Sequence, residues 1–282
     1  MGKSNQELFP TGKKKRSELL ALKREEISAH TLKAKEDQKP SFSWFNSPLN
    51  GSYESLQATF DDVLTSDKHY DFGLKDYIER ALVQKKGRAV GIEFGGVGSS
   101  LFAGFSLHFF KKTAGVVLVD ERTKSSNRGI LQQDTSRKHD VIEGDVLSSG
   151  LYDSKIKNWL QGDKADLIIE RMAKGLDLIP ADPYTLSRIV GRWYGILADG
   201  GIMLIQVPIV FNKILTPWAE MLQSDFKDTL DVQYKLGIKD SEHPSSVIKI
   251  RKLAHAPEQL PLLDPRTIGK ISRGKTLENG KK

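Results

Sequence analysis

The chain has 282 residues, 28% of them charged and 38% hydrophobic, with a formal net charge of +7, which suits one large α/β domain with tails. It has no cysteine, so disulfides, thiolate zinc sites, iron–sulfur clusters and cysteine nucleophiles are excluded. No apolar stretch approaches the ~20 residues that span a bilayer and the N-terminus has no apolar signal core, so the expected location is cytoplasmic. The histidines, His30, His69, His108, His139, His243 and His255, lack metal-ligand spacing, and each reads as a surface or packing residue.

Residues 1–40 carry 10 Lys/Arg against 6 Asp/Glu and read as a basic arm, helical or disordered. Its lone Gly12-Lys13 is no phosphate loop, since the leading glycine and the following Ser/Thr are missing. Residues 41–86 read as a helical cap. An aromatic cluster, Phe42, Trp44, Phe45 and Tyr53, precedes two helices, SYESLQATFDDVL and LKDYIERALVQKK, the second with Leu74, Tyr77, Ile78 and Leu82 at helical spacing.

The core is expected over 87–255. Residues 88–99 read RAVGIEFGGVGS: a buried strand ends at Glu93, and Gly95, Gly96 and Gly98 permit a sharp turn and close backbone approach to a ligand. Ser99 or Ser100 is then expected to cap a helix with Leu101, Phe102, Phe105 and Phe109 on one face. The next strand, GVVLVD, puts Asp120 at its end, where an open α/β sheet offers an acid to ribose hydroxyls. A third strand, HDVIEGDV, ends near Asp145; a fourth, ADLIIE, ends at Glu170. A helix from about Pro183 to Ala198 leads to a fifth strand, GGIMLIQVP. LDVQYKLG and SSVIKIRKL alternate with period two, with no crossover helix between them, and should pair as an antiparallel hairpin at the sheet edge.

On these residues the chain resembles the class I S-adenosylmethionine-dependent methyltransferases over roughly 88–253. Glu93-Phe94-Gly95-Gly96-Val97-Gly98 looks like that family's first motif, except that Val97 replaces its middle glycine, and Asp199-Gly200-Gly201 is similar to its turn before strand five. The resemblance implies a Rossmann-like seven-stranded, mostly parallel sheet with a C-terminal antiparallel hairpin and helices on both faces. It implies S-adenosylmethionine as cofactor, with the methionine and ribose part on Glu93, Gly95, Gly96 and Gly98. Asp120 would take the ribose hydroxyls, Asp145 the adenine amino group, and the Val146 backbone would lie beside the ring. A nicotinamide-binding domain is the nearest rival, but its G-x-G-x-x-G turn fails here: counted from Gly96, the last glycine falls on Leu101.

Methyl transfer from a sulfonium asks the protein mainly for alignment, plus a base where the acceptor must lose a proton. The end of strand four, Ile169-Glu170-Arg171-Met172, lacks the family's Asn-Pro-Pro-Tyr or Asp-Pro-Pro-Tyr. Glu170 as proton acceptor or amine holder and Arg171 as phosphate partner are the candidate catalytic residues, with a structural ion pair as the plain alternative. Lys213 and Glu242 are further partners if the acceptor is a ribose hydroxyl. Residues 256–282 hold 6 Lys/Arg and 3 Asp/Glu and read as a basic flexible tail, while 41–255 holds 27 of each sign. Basic ends on a neutral body point to RNA or a ribonucleoprotein as partner. The expected activity is methyl transfer to RNA or to a component of the translation machinery. A catalytically inactive methyltransferase-like binder of RNA or ribosomes, and a nicotinamide-dependent enzyme, are the alternatives.

Overall fold

The computed structural model describes residues 53–68, 70–106, 108–117, 138–170, 176, 179, 182–238 and 245–263. Its apolar runs pair into a seven-stranded sheet in the order β3-β2-β1-β4-β5-β7-β6. β1 (Ala89–Phe94), β2 (Phe110–Val117), β3 (Lys138–Glu143), β4 (Ala165–Glu170) and β5 (Leu197–Pro208) run parallel. β7 (Ser245–Lys252) runs against both β5 and β6 (Leu230–Ile238). This is the expected Rossmann-like sheet with its C-terminal hairpin. It departs from the all-parallel order 3-2-1-4-5-6 of nicotinamide domains by the reversed β7 between β5 and β6.

β1 and β4 are buried at every residue because helices cover both faces. One face carries α1 (Tyr53–Leu64), α2 (Leu74–Ala81) and the short α3 (Ser99–Ala103), packed through Phe60, Leu74, Tyr77, Ile78 and Phe102 against Leu167, Leu204 and Val247. The other carries a π-helical turn, Leu151–Ile156, running into α4 (Lys157–Leu160), then α5 (Pro183–Ile196) and α6 (Asn212–Asp225). Trp193 and Trp218 fill that side against Phe94, Ile168 and Ile250. α5 starts where its sequence says: Asp182 accepts from the Tyr184 and Thr185 amides, and Pro183 opens the first turn.

Three expectations need correction. β2 begins at Phe110, five residues before the expected Gly115, because Lys111 and Lys112 interrupt the apolar pattern although Lys112 is buried. The strand's early start shortens the helix before it: α3 ends at Ala103, so Leu101 and Phe102 are helical while Phe105 and Phe109 are buried beyond its end. Gly98, left-handed at φ +78°, stands at the N-cap with no side-chain cap, so neither Ser99 nor Ser100 fills that position. α6 was not read from the sequence, since Pro217 lies inside it and suggests a break.

Helices that link parallel strands must run back across the sheet. The ends of β1, β3, β4 and β5 therefore share one edge, the carboxyl edge, and their starts share the opposite, amino edge. Strand order reverses between β1 and β4, which makes the carboxyl edge there the natural ligand crevice of an open α/β sheet. Among the described residues no helix is long and apolar enough to cross a membrane.

Candidate functional site at the carboxyl edge

The glycine loop leaves β1 and folds onto β2. Gly95, at φ +76°, donates its amide to the Val116 carbonyl at 3.0 Å. A Cβ on Gly115 would lie 2.1 Å from the Val97 carbonyl carbon and oxygen and 2.5 Å from the Gly96 carbonyl, so only glycine at that strand position admits the loop. The Val97 side chain is buried with Val117 and Val141. Its carbonyl faces His139 Nε2 at 2.9 Å, and His139 Nδ1 faces Thr113 Oγ1 at 2.7 Å. Since the carbonyl only accepts, Nε2 carries the proton, and in the neutral ring Nδ1 accepts from Thr113. His139 and Thr113 thus tie the loop to β2 and β3. Sequence reasoning passed over both, because a lone histidine in a strand carries no signal of the residue it will reach.

The turn after β3 is held as firmly. Asp145 is half-buried; its Oδ1 accepts from the Leu147 amide at 2.8 Å and its carbonyl accepts from the Ser148 amide at 2.9 Å. The Val146 carbonyl accepts from the Tyr152 hydroxyl at 3.0 Å, which itself accepts from Trp193 Nε1 at 3.0 Å. Burial pushes the Tyr152 hydroxyl well above its usual range, so it stays a neutral donor. Phe94 stacks on Trp193 at 4.7 Å, which couples the end of β1 to the same cluster.

Glu93 and Glu170 are both fully buried and stand one register step apart, Phe94 pairing with Glu170. They do not converge. Strand alternation puts Glu93 on the α2 and α3 face, whereas Glu170 lies on the Phe94 and Ile168 face. Glu170 Oε1 accepts from the Leu176 amide at 3.0 Å, so it orients the chain that leaves β4. Lys213 is exposed at the start of α6. Asp120, Arg171, Glu242 and the aromatics Phe42, Trp44 and Phe45 lie outside the described residues.

The donor set can be set against the chemistry of a nucleoside cofactor. Left-handed Gly95 and Gly98 at the end of β1, a half-buried carboxylate at Asp145 and a tethered Val146 backbone beside it fit the polar ends of an adenosine. Buried Val97 does not make the open glycine cradle that the family motif implies; it packs the centre of the loop with the protein's own side chain. Among the described residues no cluster of three or more His, Asp or Glu could hold a metal ion.

No family model matches the chain, and no curated protein matches it. Among solved structures it is similar to an N-methyltransferase, NodS, from Bradyrhizobium japonicum WM9 in complex with S-adenosyl-L-homocysteine, at 12% identity, 79% of this chain, 98% of that chain and a TM-score of 0.44. It is similar to an rRNA methylase from Streptococcus thermophilus at 11% identity, 62% of this chain, 93% of that chain and a TM-score of 0.42. A third is an S-adenosylmethionine-dependent methyltransferase from Clostridium acetobutylicum ATCC 824, at 13% identity, 78% of this chain, 86% of that chain and a TM-score of 0.35. At such identities and scores no residue role, substrate or cofactor transfers to this chain.

Proposed function

We propose that the chain is an S-adenosylmethionine-dependent methyltransferase acting on RNA or on a component of the translation machinery. The observation that carries this reading is the meeting of the left-handed glycines after β1 with the Asp145 turn after β3 on one edge of a sheet whose β7 is reversed. Glu93, Gly95, Gly96 and Gly98 would hold the methionine and ribose end, and Asp145 and the Val146 backbone the adenine. Asp120 would serve the ribose hydroxyls. The cofactor, once bound, supplies an activated methyl group on sulfur. Glu170 and Arg171 would orient the acceptor, Glu170 taking a proton where the acceptor must lose one.

Buried Val97, with its carbonyl clamped by His139, favours a second reading: a methyltransferase-like fold that binds its partner without turnover. Calorimetry separates the two. The first reading expects binding of S-adenosylmethionine and of S-adenosylhomocysteine, no heat with NAD, and affinity lowered by about 1.5–3 kcal/mol in Asp120→Ala, the range for a hydrogen bond to a charged group. No heat with either sulfur ligand at millimolar concentration overturns it and leaves the binder.

A further inference from the structure

α5 buries Leu186, Ile189, Val190 and Trp193, and what it leaves outside is not an ordinary solvated face. Tyr184 and Arg188 are exposed and Arg192 is partly buried. The three stand four residues apart, so they form one stripe along the helix. α5 descends from the carboxyl edge, which puts Tyr184 at the top of the stripe and Arg192 about two turns below it.

The stripe has no acid of its own. Solvated helices commonly set Asp or Glu four residues from an arginine, yet Pro183–Ile196 contains no acidic residue. Among the described residues neither Arg188 nor Arg192 makes an ion pair. Asp182, the nearest acid in sequence, is engaged at the cap, where it accepts from the Tyr184 and Thr185 amides at 3.1 and 3.3 Å. The Arg192 guanidinium stands over the Tyr152 ring, 4.9 Å from its centroid, and Nη1 donates to the Leu147 carbonyl at 3.4 Å. Those contacts fix it against the turn that carries Asp145. Burial first and the Arg188 charge second pull Arg192 below its ordinary value, while Tyr152, Asp153 and Tyr184 act the other way. Arginine stays charged throughout, so two cations are held side by side with a repulsion that an anion would relieve.

One helical turn separates the two arginines by about 6 Å along the axis, comparable to the step between neighbouring phosphates of one polynucleotide strand. Guanidinium matches phosphate geometry better than any other side chain. Tyr184 adds an exposed ring above them, and single strands are bound where cations follow the backbone and rings stack the bases. Ser148, Ser149 and Gly150, which follow Leu147, are small and exposed.

We propose that Tyr184, Arg188 and Arg192 form a track for single-stranded RNA, the arginines holding successive phosphates and Tyr184 stacking a base at the carboxyl edge. The proposal deepens the methyltransferase reading, on which the choice of RNA rests, by giving that partner a path. The path runs up α5 from the wall of the Asp145 turn to the edge where the candidate site lies.

Fluorescence anisotropy with a fluorescein-labelled unstructured oligoribonucleotide separates the two kinds of contact, because phosphate contacts set the salt slope and stacking does not. In the full chain, Arg188→Ala should flatten the slope of log affinity against log salt by about 0.7, the value for one phosphate contact on a single strand. Arg192→Ala should flatten it about as much. Tyr184→Ala should weaken binding at least about fivefold with the slope kept, the low end of what one stacked base contributes, and Tyr184→Phe should bind as the parent does. A duplex of the same sequence should show no Tyr184 effect. Lys227→Ala removes an exposed cation just beyond α6 at the amino edge and should change neither affinity nor slope. An unchanged slope in Arg188→Ala, or an equal change in Lys227→Ala, overturns the track. Undiminished affinity in Tyr184→Ala overturns the single-strand assignment. Calorimetry of the parent with S-adenosylhomocysteine reports separately on the cofactor: no heat there, with the RNA results as expected, overturns the methyltransferase reading and leaves the track standing. Cofactor binding without RNA binding overturns the track and points to a protein acceptor.

Discussion

The two edges of the sheet differ in which charge they bury. At the amino edge, buried cations close off backbone carbonyls. Lys112 donates to the Trp159 and Leu160 carbonyls at 3.0 and 2.8 Å over the Trp159 ring, and Lys252 donates to the Leu197 carbonyl over the Tyr194 ring at 4.1 Å. Asp166 there accepts from the Val90 amide at 2.9 Å, beside the register shift between Ala89 and Val90 in the β1–β2 ladder. At the carboxyl edge buried Glu93 and Glu170 and half-buried Asp145 stand near left-handed glycines, and the cations there sit further out, with exposed Lys155 donating to the Glu143 carbonyl at 2.6 Å. The buried cations of the amino edge are used up on its own carbonyls, whereas the carboxyl edge keeps a partly exposed carboxylate at Asp145. Stability and ligand binding should therefore respond to different substitutions.

The largest effect is expected from Gly115→Ala. Its Cβ would overlap the Val97 carbonyl, a backbone group that cannot swing aside, so the loop must leave β2. Thermal denaturation should show a loss of about 1–3 kcal/mol, typical of overpacking, and S-adenosylhomocysteine binding should fall more than tenfold. Retained affinity would mean that the loop is no part of the site.

Lys112→Ala probes the amino edge. It strips two carbonyls of their buried partner, at about 1–3 kcal/mol, and should leave ligand affinity within twofold. Asp145→Ala is its mirror image: binding should weaken by about 1.5–3 kcal/mol, while denaturation shifts little beyond the lost Leu147 bond. Equal movement of both readouts in Lys112→Ala or in Asp145→Ala would erase the distinction between the edges.

A smaller change is expected from His139→Ala. Loss of its bond to the Val97 carbonyl loosens the loop without removing a ligand contact, so affinity should drop a few-fold, with denaturation shifted by about 1 kcal/mol. The smallest effect is the acid limb of the amino edge. Hydrogen bonds from Lys112 and then Lys111 hold the Asp163 carboxyl below its ordinary value of 3.8. A carboxyl whose pKa is lowered by folding stabilises above its unfolded value, and that contribution disappears as pH falls through 3.8 toward the lower folded one. Melting curves of Asp163→Asn should lack that part of the acid destabilisation.

The sheet was legible in the sequence because each central strand is a short apolar run ending at an acid or a glycine. ADLIIE was read to the residue, and the hairpin followed from two period-two runs too close for a crossover. The helices of the first face were legible for the same reason: Leu74, Tyr77, Ile78 and Leu82 are all buried. What escaped depends on partners distant in sequence. Buried Lys112 and Lys252 look like solvated charges until their carbonyls and rings are in place. Pro217 conceals α6. The seating of the glycine loop needs Gly115, Thr113 and His139 together, from two strands that no local pattern relates. The first residues of the segment read as a flexible tail, 256–263, instead pack on α5 and α6, with Leu260 and Leu263 buried in the core.

The most direct test of the edge assignment is amide hydrogen exchange of the full chain with and without saturating S-adenosylhomocysteine. Protection should appear in 93–98 and 143–148, at the carboxyl edge, and be absent from 159–164 and from the residues around Leu197 at the amino edge. Binding without protection in 93–98 and 143–148, or protection confined to the amino edge, would contradict the account.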